Sequence, residues 1–243
     1  MKAFLLAAGN GTRLRPLTDT IPKCMVPIQG MPLLGIWLEW CRHNGIDEVL
    51  INVHAHPDAV AAYLGGEFGV KVTISEEKEL LGSAGTLLAN REFVEGEEEF
   101  AVLYADVLTN CSFDEMRDYH RARRSPATLG LYHAPNPIEC GIASVESDGR
   151  ITKFEEKPAH PKGDLAFTGL MIASPAAMAA IPEKIPSDIG SDLLPLLIGR
   201  MYGYTIEGYL IDIGSYEKYA RAQHEWPGLN CTGKATCFDQ AIS

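Results

Sequence analysis

Residues 9 to 23 combine glycines with basic side chains in a chain that is acidic overall. Gly9 and Gly11 follow a short apolar run, and Arg13 and Lys23 come after them. Glycine lets backbone amide groups approach a ligand closely, and consecutive free amides form a concave anion site. Arginine adds a planar fork for phosphate oxygens, and lysine adds a mobile point charge. This spacing indicates a strand that delivers a loop to phosphate groups.

Two familiar phosphate-binding motifs do not fit this loop. A dinucleotide-binding fingerprint requires a third glycine three positions after the second, and residue 14 is leucine. A Walker A loop requires Gly-Lys-Ser/Thr, which does not follow at the required spacing. By itself the Gly-x-Gly turn is weak evidence, and a tight turn with solvated arginines explains it better. Its interpretation therefore depends on the later motifs of the chain.

Three later motifs contain residues that could do chemistry. The apolar run from Phe100 to Ala105 ends in Asp106, at the edge where doubly wound sheets bind ligands, although Asp106 could also cap the next turn. Glu156-Lys157 precedes a proline, which fits a charged strand end and a turn. Asp212 precedes Ile213-Gly214, where local sequence favours a residue that begins a helix. Each motif alone has an ordinary structural interpretation.

Taken together, these blocks resemble the sugar-1-phosphate nucleotidyltransferases, also called NDP-sugar pyrophosphorylases. The resemblance covers roughly residues 1 to 226 in five ordered blocks. Residues 81 to 85, Leu-Gly-Ser-Ala-Gly, are similar to the Leu-Gly-Thr-Ala-Gly turn of guanylyl-type members such as the mannose-1-phosphate and heptose-1-phosphate guanylyltransferases. Locally this turn fits close purine approach and tight helix packing about equally well, and the resemblance favours base recognition.

The resemblance implies a reaction and a role for each site residue. A nucleoside monophosphate, from GTP by preference, would pass to the 1-phosphate of a mannose-like hexose or a heptose, with release of pyrophosphate. Arg13, Lys23 and Lys157 would be catalytic, at the leaving pyrophosphate, the α-phosphate and the sugar phosphate respectively. Asp106 and Asp212 would bind the cofactor, Mg²⁺. Nucleotide binding is implied for Leu6, Ala8, Gly9, Gly11, Thr12, Arg13, Gly82, Ser83 and Gly85. Sugar-phosphate binding is implied for Gly141, Glu156, Lys157 and Thr168.

Two positions depart from the family pattern. Cys24 follows Lys23 where the family usually has proline, so that either Lys23 is less rigidly placed or Cys24 fills the same apolar space; we favour the second interpretation. Ala105 precedes Asp106 where glycine is frequent, which is a mild substitution.

Strand and helix patterns alternate along the chain and predict an α/β fold. We expect a doubly wound, mostly parallel, Rossmann-like sheet with helices on both faces. Short strands at 127–134, 142–146 and 151–155 predict a small antiparallel insertion that binds the sugar. We expect a single nucleotidyltransferase domain at 1–226, with a nucleotide-binding part at about 1–125, a sugar-binding part at about 126–226, and a flexible tail at 227–243. Predicted strands are 2–8, 49–53, 70–75, 100–106 and 204–213, and predicted helices are 32–44, 57–64, a helix that ends near 95, 112–124, 188–201 and one that begins at 216.

Composition limits the possible partners and location. A formal net charge of −11 argues against nucleic acid and anionic membrane surfaces, because both would repel the molecule. No apolar run approaches membrane-spanning length, and the N-terminus does not resemble a signal peptide, so we expect a cytoplasmic protein. The expected partners are a nucleoside triphosphate and a sugar 1-phosphate, with the protein a monomer or homodimer. The six cysteines form no Cys-x-x-Cys pair and read as reduced thiols, although Cys231 and Cys237 could pair.

Two other functions remain compatible with the sequence. The same fold could transfer CMP to phosphocholine, which would require an acidic or aromatic cage for the quaternary ammonium; the Glu156-Lys157 block argues against it. The chain could also be a catalytically silent regulatory subunit that binds nucleotide sugars, and the joint presence of the basic and acidic site residues argues against that. No Ser/His/Asp or Cys/His constellation is evident, which agrees with a phosphate nucleophile that needs no general base.

Overall fold

The computed structural model describes residues 1–229 of the 243-residue chain. Thirteen strands lie within these residues: β1 (Lys2–Leu6), β2 (Pro27–Ile28), β3 (Met31–Pro32), β4 (Glu48–Val53), β5 (Lys71–Glu76), β6 (Phe100–Tyr104), β7 (Val107–Thr109), β8 (Ala127–His133), β9 (Gly141–Val145), β10 (Ile151–Glu156), β11 (Leu165–Ala173), β12 (Tyr202–Thr205) and β13 (Leu210–Asp212). The α-helices of the same residues are α1 (Leu33–His43), α2 (Pro57–Leu64), α3 (Ser83–Ala89), α4 (Phe113–Arg123), α5 (Pro175–Met178), α6 (Leu194–Leu197) and α7 (Tyr216–Glu225).

The N-terminal half of the main sheet is parallel. β1 lies between β4 and β6 and pairs with both in parallel, and β5 continues the sheet beyond β4. Leu5 lies opposite Ile51 on one side and Leu103 on the other, and all three are inaccessible to solvent. Because both faces of β1, β4 and β6 are covered, these three strands are nearly continuous apolar runs rather than alternating patterns. The arrangement brings the carboxyl ends of β1, β4, β5 and β6 to one edge.

The C-terminal half extends the same sheet with antiparallel strands. β11 pairs antiparallel with β6 and with β8, while β9 and β10 continue the order β10-β9-β11-β6-β1-β4-β5. β12 pairs in parallel with β8. The predicted α/β fold class is therefore confirmed, and the small antiparallel part is continuous with the parallel part through β11.

Several predicted elements have different bounds in the structure. The helix expected to end near residue 95 ends at Ala89, and a 3-10 turn, Arg91–Val94, follows. The helix expected at 188–201 is a π-helical turn, Ile189–Leu193, followed by one short α-helix. The strand expected at 204–213 is two strands, β12 and β13, with Gly208 at φ +111° between them. Only glycine adopts that conformation readily, so the chain turns there toward a new partner.

The predicted tail begins within the described residues. The Gly228 carbonyl accepts a hydrogen bond from Asn110 Nδ2 at 3.2 Å, and Leu229 packs against the core. The rest of the predicted tail, including Cys231 and Cys237, lies outside the described residues. Among residues 1–229, no helix has the length and apolar character needed to cross a bilayer.

Candidate functional site

The loop after β1 has the conformation that its glycines allow. Gly11 has φ +61°, and a β-carbon there would lie 3.0 Å from Thr18 Cγ2 and 3.2 Å from Lys23 Cβ. The Thr18 hydroxyl donates to the Gly11 carbonyl at 2.8 Å and holds the turn. At Gly9, by contrast, a β-carbon would meet no atom within 4 Å. Gly11 is therefore required by local packing, whereas Gly9 borders open space that a ligand can enter.

A cavity of about 400 Å³, here called the loop cavity, opens beside this loop. Residues 6 to 14 form one wall, and residues from the ends of β4 and β5 and the start of α3 form the others. Every residue predicted to bind nucleotide lines this cavity except Gly85. The Gly85 amide donates to the Ser187 carbonyl at 2.9 Å, and a β-carbon at Gly85 would face Leu81 and Ser187. Gly85 thus packs α3 against a neighbouring loop.

A second cavity of about 740 Å³, here called the insertion cavity, adjoins the first. All four residues predicted to bind the sugar phosphate line it, together with Asp106, Asp212 and Lys218. The two cavities share the following wall residues: Arg13, Ser83, Tyr104 and Asp106. The structure therefore brings the two predicted halves of the site into contact at Asp106.

The backbones of Asp106 and Asp212 lie at neighbouring positions of one ribbon although the two residues are far apart in sequence. Asp106 follows β6 directly, and β13 pairs antiparallel with β7 so that Asp212 lies opposite Val107. The Ile213 amide donates to the Asp106 carbonyl at 2.7 Å and continues this pairing. The β7–β13 ribbon therefore carries the second aspartate to the first.

Each of the two aspartates binds a lysine. Lys23 Nζ lies 2.6 Å from Asp106 Oδ2, with the Lys23 side chain 11% exposed. Lys218 Nζ pairs in the same way with Asp212 Oδ2. Among residues 1–229, no group of three or more carboxylate, imidazole or thiol side chains could hold a metal ion. Asp106 and Asp212 could hold a divalent cation together with oxygens from substrate or water, and the positive charge of that cation would weaken both lysine pairs.

Arg13 is exposed and lies across Gly214 from Asp212. A β-carbon on Gly214 would lie 3.1 Å from Arg13 Nη2 and would also contact Asp212 Oδ1. Glycine at this position therefore allows the arginine and the aspartate to approach the same backbone segment. The guanidinium lines both cavities and makes no ion pair with any described residue.

Glu156 and Lys157 come from the end of β10. The Glu156 carboxylate is held between two glycines, because β-carbons on Gly141 or Gly190 would collide with Oε2. Lys157 has φ +45°, which is unusual for a residue with a side chain, and its amide donates to the Cys140 carbonyl at 3.0 Å. Its ammonium lies 3.6 Å from Glu156 Oε1 and is 66% exposed. Of the two ion-paired lysines that line the insertion cavity, Lys157 is therefore more accessible than Lys218.

Thr168 lines the insertion cavity, but its hydroxyl is used within the sheet. The hydroxyl donates to the Gly130 carbonyl at 2.9 Å and accepts from the Leu170 amide at 3.1 Å, and the residue is 3% exposed. The pairing of β11 with β8 shifts register between Phe167 and Met171, and Thr168 holds this irregularity together.

A buried polar network that sequence reasoning missed closes the loop cavity. Glu77 is 4% exposed; Oε1 accepts from Asn52 Nδ2 at 2.8 Å and from Thr86 Oγ1 at 2.5 Å, and Oε2 accepts from the Leu81 amide at 3.1 Å. Asn52 Oδ1 accepts from the Ala7 amide at 2.7 Å and so ties the glycine loop to the network. Their positions in the sequence could have identified them, because Asn52 lies at the carboxyl end of one predicted strand and Glu77 follows the end of another.

Tyr104 forms the wall between the cavities and was also not predicted. Burial raises the pKa of its phenol, and the negative charges of Glu156, Asp188 and Asp106 act in the same direction. The phenol therefore stays protonated and can act as a hydrogen-bond donor. Ser83 lies in the same wall, and its amide and hydroxyl both donate to Asp188 Oδ1, at 3.1 and 3.2 Å.

Cys24 lies in the apolar core at 2% exposure, which agrees with the interpretation that it fills space where proline is usual. Cys41 and Cys111 are also buried, Cys140 is half-buried, and all four are free thiols.

His54 Nδ1 makes a hydrogen bond with the Glu77 carbonyl at 2.8 Å, which is a structural role.

Comparison with known proteins supports this arrangement. The family model for nucleotidyl transferases matches residues 2–227. A glucose-1-phosphate thymidylyltransferase from Streptomyces griseus is 39% identical over 225 residues, which are 88% of this chain and 63% of that protein. A mannose-1-phosphate guanyltransferase from Candida albicans is 32% identical over 222 residues, which are 88% of this chain and 61% of that protein. The chain thus spans 61–63% of the length of these curated relatives.

A solved structure shows the same fold. The crystal structure of a Bacillus anthracis protein assigned as a glucose-1-phosphate thymidylyltransferase, in complex with sucrose, superimposes with a TM-score of 0.84 at 25% identity. The match covers 92% of this chain and 94% of that one. The chain therefore belongs to the nucleotidyl transferase family, which confirms the membership predicted from the glycine loop and the later motifs.

Proposed function

We propose that the chain transfers a nucleoside monophosphate, from GTP by preference, to a sugar 1-phosphate, giving an NDP-sugar and pyrophosphate. The observation that carries the proposal is the pair of adjoining cavities that meet at Arg13, Tyr104 and Asp106. One is lined by a glycine loop suited to phosphates, and the other by a lysine and a fixed carboxylate suited to a sugar phosphate. Relatives named for thymidylyl, guanylyl and uridylyl transfer support the reaction class and leave the base to be argued from this chain.

The reaction joins two anions, so the site has to stabilise charge. An oxygen of the sugar 1-phosphate attacks the α-phosphorus, the bond from the α-phosphorus to the bridging oxygen breaks, and pyrophosphate leaves with that oxygen's electron pair. The nucleophile is already ionised at neutral pH and needs no general base. Catalysis is then a matter of positioning and electrostatic stabilisation. The amides of the glycine loop and the cations beside it supply both.

Each cation has a place in this scheme. Arg13, exposed at the junction of the cavities, would bind the leaving pyrophosphate through its planar fork. Lys23, held at the first aspartate, would contact the α-phosphate. Lys157, the accessible lysine of the insertion cavity, would bind the incoming sugar phosphate, and Glu156 would accept hydrogen bonds from sugar hydroxyls.

Asp106 and Asp212 would hold Mg²⁺, because that ion is bound by one or two carboxylates together with substrate phosphates and water. When bound, the ion neutralises phosphate charge and polarises the oxygens that it contacts. The chain's own contribution is to place the two carboxylates at adjacent positions of one ribbon. Releasing Lys23 from Asp106 leaves its ammonium free for the α-phosphate.

Glu77 supports the preference for guanine. Glu77 lines the loop cavity, and its Oε2 accepts one protein hydrogen bond, so one lone pair remains for a ligand. A carboxylate accepts hydrogen bonds and donates none, so the free lone pair suits one of the adjacent N1–H and N2–H donors of guanine. Uracil and thymine place carbonyl oxygens on both sides of their single N–H donor, and these would repel the carboxylate.

The test is a matrix of five nucleoside triphosphates against a panel of sugar 1-phosphates and phosphocholine, scored by Mg²⁺-dependent pyrophosphate release. We expect turnover with GTP and a mannose-like hexose or a heptose 1-phosphate. Turnover only with CTP and phosphocholine would establish the alternative transferase. Nucleotide-sugar binding without turnover in any combination would establish a regulatory subunit. A cytoplasmic location and a monomeric or homodimeric state remain predictions, which fractionation and light scattering can check.

A further inference from the structure

The insertion cavity contains more acidic than basic side chains. Its carboxylates are Asp106, Glu139, Glu156, Asp188 and Asp212, and its cations are Arg13, Lys157 and Lys218. A sugar 1-phosphate dianion entering this cavity meets a surplus of negative charge. The proposed function places Arg13 at the pyrophosphate and Lys157 at the sugar phosphate, and among the described residues Lys218 is the remaining cation that lines this cavity.

Lys218 is better shielded from water than Lys157. The Lys218 side chain is 33% exposed, half the value of Lys157, and a charge interaction strengthens as water is excluded. Lys218 is the third residue of α7, and its amide donates to Ser215 Oγ at 3.3 Å in the helix cap. Its position on the cavity wall is thus fixed by the start of a helix.

The ammonium of Lys218 neutralises Asp212. Its Nζ binds Asp212 Oδ2, and both side chains are about one-third exposed. Asp212 and Lys218 both line the insertion cavity, so their ion pair borders the space in which the sugar phosphate is proposed to bind.

We propose that Lys218 is a second sugar-phosphate-binding lysine whose release depends on Asp212. Without a divalent cation, Lys218 neutralises Asp212. When Asp212 coordinates a divalent cation, the ammonium is released into the insertion cavity, where it binds the phosphate of the sugar substrate. This inference rests on the proposed function, since it assigns a residue to the same reaction.

Two consequences follow from this exchange. Lys218 competes with the cation for Asp212, so removing the lysine strengthens cation binding. The cation also makes the lysine available, so cation and sugar phosphate strengthen each other's binding through Lys218, and this coupling is reciprocal.

The first measurement is Mn²⁺ binding to the full chain by electron paramagnetic resonance, without nucleotide or sugar. In Lys218→Met we expect the Mn²⁺ dissociation constant to fall by about two- to fivefold, the strength of a partly exposed ion pair. Lys153→Met is the matched control, because Lys153 pairs with Glu155 on β10 outside both cavities. Its Mn²⁺ affinity should equal that of the wild type.

The second measurement is calorimetric binding of glucose 1-phosphate and mannose 1-phosphate with and without Mg²⁺. Lys218→Met should weaken binding about tenfold with Mg²⁺ present, the loss of one charge-assisted hydrogen bond, and much less without it. Lys218→Arg keeps the charge and should restore the Mg²⁺ dependence.

Unchanged or weaker Mn²⁺ binding in Lys218→Met would overturn the proposed competition. Tighter Mn²⁺ binding with unaltered sugar-phosphate affinity would overturn the phosphate-binding role. The Mn²⁺ measurement requires no turnover, so it tests the competition between Lys218 and the cation separately from the proposed function. A wild-type protein that released no pyrophosphate would contradict the proposed function, and the Mn²⁺ result would still decide the competition.

Discussion

Gly141 lies against the carboxylate of Glu156: a β-carbon on Gly141 would stand 2.7 Å from Glu156 Oε2 and 2.5 Å from Phe154 Cζ. The absence of a side chain at Gly141 therefore leaves the room that the carboxylate occupies. A β-carbon on Gly190 would also collide with Glu156 Oε2, so the position of the carboxylate depends on both glycines. A carboxylate in one position can select one arrangement of sugar hydroxyls.

Gly141→Ala should displace Glu156 and the Phe154 ring. We expect the free energy of unfolding to fall by about 1–3 kcal/mol, as for other overpacked sites, and the KM for sugar 1-phosphate to rise. The KM for the nucleotide should stay near the wild-type value, because Gly141 lines only the insertion cavity. Steady-state kinetics and denaturant unfolding measure these effects.

Gly163→Ala is the control for that substitution, since a β-carbon at Gly163 would meet no atom within 4 Å. A Gly141→Ala protein that loses stability but keeps its KM for the sugar 1-phosphate would show that Glu156 makes no contact with the sugar.

The buried thiol of Cys24 should make the free energy of unfolding depend on pH in alkaline solution. Burial raises the pKa of its thiol from 9.0 to about 12. The folded protein holds this proton more tightly than the unfolded chain does, so the stabilisation is complete below pH 9 and is lost as the pH rises from 9 to about 12. Over that range the unfolding free energy of the wild type should fall more steeply than that of Cys24→Ala, by about 1.4 kcal/mol per pH unit.

Guanidinium unfolding at several pH values between 8 and about 11 checks this difference. Parallel curves for the wild type and Cys24→Ala would contradict it. A thiol reagent at pH 8 should in addition modify Cys24 only after unfolding, because the thiolate is the reactive species.

The parallel half of the fold was predictable because short stretches of sequence are enough to identify its strands. Buried parallel strands are continuous apolar runs, and the helices between them have apolar faces and recognisable ends. The loop at Gly9 and Gly11 was found for the same reason: the strand before it and the cations after it are neighbours in sequence. Asp106 followed from its place at the end of such a strand.

The rest depends on pairings that no short window contains. Asp212 reaches Asp106 only because two three-residue strands, β7 and β13, pair across a long sequence separation. Glu77 is held at the loop cavity by hydrogen bonds from Asn52 and Thr86, which belong to other elements. The late helix was predicted to be too long, because the chain leaves the helix at Ile198, which is extended, and Gly199 follows with φ +79°.

Lys23→Ala should reduce kcat/KM by about 10²- to 10³-fold, the usual effect of losing one group that stabilises developing charge. The fold should remain intact, as judged by circular dichroism, because only one ion pair is lost. Lys71→Ala is the matched control, since Lys71 pairs with Glu48 and is 71% exposed on β5, outside both cavities. Near-normal turnover in Lys23→Ala would remove Lys23 from the mechanism.

Glu77→Gln should alter the choice of base. The amide replaces one acceptor by a donor, so it can donate to a carbonyl oxygen of uracil or thymine and accept from the neighbouring N–H. Its NH₂ group would face a donor of guanine and could not accept from it. We expect kcat/KM for GTP to fall by about 10- to 100-fold relative to UTP and dTTP, the range for one or two hydrogen bonds to a charged group.

The substitution also disturbs the network around Asn52 and Thr86, and a general loss of activity has to be separated from a change of preference. The ratio of kcat/KM values between nucleotides measured on one protein sample makes that separation, because a structural defect lowers all of them together. Glu76→Gln provides the control: Glu76 is the exposed neighbour of Glu77 on β5 and lines neither cavity. If Glu77→Gln lowers turnover with GTP, UTP and dTTP by the same factor, Glu77 supports the loop cavity without reading the base.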